Sequence, residues 1–100
     1  MERVEYQDSF MDTLNAIEAS QNSLRPEMEE STFTETMKLI ENKTHTLKEN
    51  AKTEKESLLI TNMDLFQKLL EPNMETDMFN DTLGEIKKLL NEIKKNRSTR

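Results

Sequence analysis

Apolar residues recur along this chain at steps of three and four, and that spacing predicts helices almost throughout. In the first segment, roughly residues 2–24, Phe10, Leu14, Ile17 and Leu24 lie at steps of four, three and seven, one face of a helix with about 3.6 residues per turn. Val4 and Met11 widen the stripe on one flank. Gln21 interrupts it between Ile17 and Leu24, as a solvated edge or a register-setting polar pair would.

Pro26 and the acidic run around it break the periodicity, and Thr32 followed by Glu35 has the spacing of a capping box that restarts a helix before Phe33. From there the seam reads Phe33, Met37, Ile40, Thr44, Leu47, Ala51, Glu54 and Leu58, then slips in phase to Leu59, Met63, Phe66 and Leu70, with Leu65 and Leu69 broadening it. Residues 33–70 contain neither Gly nor Pro, so the expectation is one continuous helix of ~57 Å at ~1.5 Å per residue. The alternative is a bend near Asn42–Thr46, where Thr and Asn weakly disfavour helix. Pro72 stops this helix, and Asn73 or Asp77 can cap the next. There Phe79, Leu83, Ile86, Leu90 and Ile93 follow in strict four-three alternation, with Gly84 inside the run as either a local cost or a close helix approach.

The fold class expected is therefore all-α: three helices, a long central one with shorter antiparallel helices on either side, in the manner of a coiled coil or helical bundle. Residues 1–96 form one elongated helical interaction domain, and residues 97–100 a frayed basic tail. Composition sharpens this. Leu, Ile, Val and Phe make up 22 of the 100 residues, just above the ~20% below which disorder is the better expectation. The central stripe is narrow and carries Thr44 and Glu54, so the seam is expected to need cover from other chains. On that view Phe10, Leu14, Ile17, Leu24, Phe33, Met37, Ile40, Leu47, Leu58, Met63, Phe66, Leu70, Phe79, Leu83, Ile86, Leu90 and Ile93 form a partner-binding seam. The methionines, among them Met11, Met28, Met74 and Met78, add adaptable apolar contacts.

Charge divides the chain. Residues 1–84 hold eighteen acids and eight bases (−10) and residues 85–100 two acids and six bases (+4), which sum to the net −6. The acidic body argues against nucleic acid and anionic lipid as partners. Lys87, Lys88, Lys94, Lys95 and Arg97 are a candidate basic docking element, or else complement the dipole of the last helix and pair with Glu on a neighbour.

Candidate chemistry is thin. The lone His45 stands four residues from both Glu41 and Glu49, but a dimetal carboxylate site needs further His and Glu from other helices. Asn73, Glu75 and Asp77 alternate as calcium-loop ligands do, yet Met78 occupies the glycine position and Gly84 that of the bidentate Glu. Cys is absent, excluding disulfides, a thiol nucleophile and thiolate zinc. Ser9, Thr32, Thr53 and Thr82 each precede an acid by three residues, the pattern of acid-directed kinases. No catalytic residue, metal or cofactor is assigned, and neither a small-molecule substrate nor membrane insertion is expected.

The function expected is that of a non-enzymatic helical subunit, intracellular in the cytoplasm or nucleus, that assembles with other helical protein subunits in a hetero-oligomeric complex. In general style the chain resembles small acidic helical subunits of larger assemblies. The alternative is a self-sufficient acidic regulator or inhibitor that binds a basic protein surface.

Overall fold

The computed structural model describes the backbone of residues 2–98 and the side chains of residues 9–97. It is all-helical, with four helices where three were expected: α1 (Glu2–Ser23), α2 (Glu30–Glu49), α3 (Glu54–Gln67) and α4 (Thr76–Ser98). Short connections turn each helix back on the one before it. Each helix packs on its chain neighbours, α3 and α4 most extensively, and α1 also packs on α4, which closes the bundle.

The single central helix is the main correction. Helix α2 continues through Asn42–Thr46 and ends at Glu49, capped by Asn50, whose backbone N–H donates to the carbonyls of Thr46 and Leu47 at 3.2 and 3.0 Å. The chain turns over residues 50–53, and Thr53 caps α3 in extended conformation, its Oγ1 accepting from the Glu56 N–H at 3.1 Å. No Gly or Pro forces this break. It follows from burial: a continuous helix would leave a one-residue-wide stripe bare, whereas folding back buries Ile60 and Met63 completely between the other helices.

The capping box expected at Thr32 is not used. Helix α2 begins two residues earlier, at Glu30, with no side-chain cap, and Thr32 lies inside its first turn. Helix α3 ends at Gln67, ahead of Pro72, and Asn73 takes a left-handed turn (φ 63°) instead of capping α4, a conformation Asn tolerates better than most residues. That turn aims the Asn73 N–H at the Pro26 carbonyl, 2.9 Å away, and so ties the connection after α3 to the one after α1.

The core runs the length of the bundle, from Phe33 and Phe79 to Leu47 and Ile93, all nearly or fully buried. Apart from Glu56, the buried polar side chains of the described residues form one chain of hydrogen bonds. Gln21 Nε2 donates to Gln67 Oε1 at 2.9 Å, Gln67 Nε2 donates to Thr44 Oγ1 at 3.1 Å, and Thr44 Oγ1 donates to the Ile40 carbonyl at 2.7 Å. The break in the α1 stripe at Gln21 is thus a buried pair that fixes the alignment of α1, α2 and α3. Gly84, by contrast, is exposed, and a Cβ there would meet nothing within 4 Å. Gly84→Ala is therefore expected to stabilise the chain by ~0.5–1 kcal/mol through helix propensity, read as a higher urea midpoint at unchanged slope.

Candidate interaction surface

The bundle places most of the expected seam inside the chain itself. Phe10, Leu14, Ile17, Leu24, Phe33, Met37, Ile40, Leu47, Met63, Leu70, Phe79, Ile86, Leu90 and Ile93 are buried, and Phe66 and Leu83 pack half-buried against them. Leu58 does not belong with them: it is 62% exposed. Ile60, fully buried, takes the core position that the phase slip concealed. Val4 lies outside the residues whose side chains are described.

Helix α3 is apolar on both faces, with polar residues in its buried row. The row it turns inward is Glu56, Ile60, Met63 and Gln67. At about 100° per residue, Leu58 and Leu65 lie roughly half a turn from Ile60 and Met63, and Leu69, just beyond the helix end, continues their line. These three leucines are 62%, 58% and 57% exposed. Single exposed leucines on a surface are ordinary, but a row on one helix face is not. The inward row can afford two polar residues because both find partners: Gln67 in the glutamine pair, and Glu56 in an ion pair with the far end of the chain.

That ion pair is the most built polar feature of the molecule. Arg97 Nε donates to Glu56 Oε2 and Nη2 to Oε1, both at 2.9 Å, with the Glu56 side chain 1% exposed and that of Arg97 12% exposed. The Lys52 N–H donates to Glu56 Oε1 at 2.9 Å, and the Arg97 guanidinium lies 3.6 Å from the centroid of the Phe10 ring. Arg97, expected in a frayed tail, thus clamps α4 to the start of α3 and to α1; residues 99–100 lie outside the described region. Burial pushes the Glu56 carboxyl pKa up, but the Arg97 hydrogen bonds, the Lys52 N–H, the Arg97 charge and Asn96 outweigh it and hold the group below the usual 4.5. A lowered carboxyl pKa gives stability that is present above the unfolded value and lost as pH falls through the folded one. Acidification below about pH 4.5 is expected to narrow the gap in melting temperature between the native chain and Glu56→Gln; a gap constant down to pH 3 would contradict this linkage.

The candidate basic element is dispersed by the same packing. Lys94 pairs with Glu18 of α1 at 2.6 Å, Lys88 lies 3.9 Å from Glu85, and Arg97 is committed to Glu56. Lys87 shares the α1-facing flank with Lys94, while Lys95 is exposed elsewhere on α4. His45 contacts Glu49 at 3.3 Å with both side chains largely exposed, and no group of three His, Asp or Glu among the described residues is arranged to hold a metal. A shallow cleft of about 300 Å³ between α1 and the turn after α2 is lined by Ser9, Phe10, Thr13, Thr46, Leu47, Asn50, Lys52 and Arg97. Its two titratable groups are both cations, which offers no acid–base pair. No described helix is long and apolar enough to cross a membrane.

Sequence periodicity missed the outward row because α3 is apolar on both faces: Leu58, Leu59 and Ile60 are consecutive, and Leu65–Phe66 and Leu69–Leu70 are doublets. Comparison of the chain with protein-family models, with curated proteins and with solved structures finds no match.

Proposed function

We propose that this chain is a non-enzymatic helical interaction module that joins a larger protein assembly through the outward face of α3. One observation carries the reading: α3 and the turn after it expose Leu58, Leu65 and Leu69 while Glu56 and Gln67 are turned inward, an arrangement that costs solubility unless another surface covers the leucines. The module is self-contained, because its seam is sheltered by its own four helices. The purified chain is accordingly expected to scatter light as an 11.8 kDa monomer and to melt in one cooperative transition. A molten or polydisperse species would return the seam itself to the role of partner surface.

A photoreactive residue tests the face directly. Full-length chain carrying benzoylphenylalanine at Leu65 is expected to form a discrete protein adduct in extract of its source cells. The same label at Asn15, an exposed position on α1, should not form it. The adduct must also disappear in the background Leu58→Ser/Leu69→Ser. Adducts indifferent to those leucines would remove the basis for the proposal.

A further inference from the structure

The geometry points to a cationic amphipathic helix as the occupant of the α3 face, an inference that rests on the docking role just proposed and names the chemistry of its partner. The row Leu58, Leu65 and Leu69 covers about eleven residue steps, ~17 Å at helical rise, or about three turns. That is the footprint of a helix read through i, i+3, i+4 and i+7 anchors.

The border of the row is acidic toward its carboxyl end, where Lys68, next to Leu69, is paired with Asp64 at 2.8 Å. From residue 71 to residue 85 the chain holds five acids, Glu71, Glu75, Asp77, Asp81 and Glu85, and no base. All five are exposed, and Met78, 55% exposed, sits among them. The phase of α4 is set by two neighbours: Asn96 lies beside Glu56 of α3, where it helps to lower that carboxyl's pKa, and Lys94 pairs with Glu18 of α1. At about 100° per residue, Met78, Asp81, Glu85 and Glu92 fall on the Asn96 flank, the side toward α3, whereas Lys87 falls with Lys94 on the side toward α1. As far as Glu85, α4 therefore presents acids and no base toward the carboxyl end of the α3 leucines; beyond it Lys88, about 20° from Asp81 around the helix, lies 3.9 Å from Glu85. Lys55, at the amino end of the row, lies about three helical turns from Leu65 and four from Leu69, where the acidic border begins.

These facts decide among occupants. A second copy of the chain would bring another net charge of −6 against the same acids, and three leucines fall well short of the ~800 Å² per partner of a standard interface. Anionic lipid is repelled by the acidic border. A helix with leucine-like anchors on one face and Lys or Arg beside them satisfies both the apolar row and the acids, and electrostatic steering speeds its encounter.

The test uses three fluorescent peptides of about eighteen residues, ~27 Å as helices, with an identical leucine face and a polar face of Lys, Gln or Glu. Binding to the full chain is followed by anisotropy, and the contact is mapped by amide chemical shifts. The Leu/Lys peptide is expected to bind and to shift α3 and the first half of α4. Its affinity should fall about tenfold or more, ~1.4 kcal/mol or more, in Leu65→Ser and in Asp81→Lys/Glu85→Lys. Glu27→Lys/Glu30→Lys, an equal charge change at exposed positions beside the first connection, should leave it within about twofold. Equal loss in that control, or indifference to Leu65→Ser, would show diffuse charge attraction and overturn the inference. If the Leu/Gln or Leu/Glu peptide seats on α3 as tightly as Leu/Lys, the cationic partner is wrong while the docking face stands. If no peptide touches α3 in a chain whose melting is native, both fall.

Discussion

Truncating Phe79 to Ala is expected to lower stability by ~3–5 kcal/mol, enough to leave a chain of this size partly unfolded at physiological temperature. Phe79 is 1% exposed, in the first turn of α4, and meets Phe33 of α2, 2% exposed, with ring centroids 6.4 Å apart and planes inclined at 59°. Such a tilted pair contributes ~0.5–1.5 kcal/mol beyond its buried area. It also carries an architectural load. Helices α2 and α4 are not neighbours around the bundle, so this ring contact reaches across the core between them. Met28 and Met74 pack half-buried nearby and can swing into part of the void, which argues for the lower part of the range. Urea titration followed by far-ultraviolet circular dichroism reads the change; Leu65→Ala, at 58% exposure, is the reference and should cost under ~1 kcal/mol. Equal costs for the two would mean that Phe79 is not in the core.

The parts of this fold that were legible in the sequence are those in which local pattern and global packing agree. Helix α4 carries Phe79, Ile86, Leu90 and Ile93 on one face and polar residues elsewhere, and that face is the buried one; α1 and α2 behave alike. The break after α2 was not legible because nothing local demands it. The Thr-x-x-Glu signature at Thr53 is present, but so is the one at Thr32, and only the first caps a helix. What separates them is Arg97, forty-one residues beyond Glu56, which makes the α3 start a place where a carboxylate can be buried. Gln21 and Gln67, forty-six residues apart, are the same case: a polar residue on an apolar stripe reads as an interruption until its distant partner is known. The outward row of α3 was hidden for the opposite reason, since two apolar faces leave periodicity no basis for choosing the inner one.

The clamp between Glu56 and Arg97 yields the second large effect, and its two halves should not be equivalent. Arg97→Ala leaves the Glu56 carboxylate, 1% exposed, buried without its cation, and also removes the guanidinium stacked 3.6 Å from the Phe10 ring centroid. A buried charge deprived of its partner costs ~3–5 kcal/mol. Glu56→Ala leaves instead a guanidinium that is already 12% exposed in the last turns of α4, free to swing into water, and should cost only ~2–3 kcal/mol, part of it for the orphaned Lys52 N–H. Removing both side chains should therefore cost less than the sum of the two single changes, with a coupling of ~1–3 kcal/mol. Arg97→Lys should recover well under half of the loss, because a single ammonium supplies neither the two-point grip on both carboxylate oxygens nor the flat face over Phe10. Urea midpoints of the four variants, taken at pH 7 and again below pH 4, separate this account from simple loss of packing. As pH falls through the lowered pKa of Glu56 the carboxylate takes up a proton and no longer demands a cation, so the penalty for Arg97→Ala should shrink toward the packing and stacking contribution alone; a penalty that does not diminish at all with acidification would mean that Arg97 acts through its contact with Phe10 and not through charge.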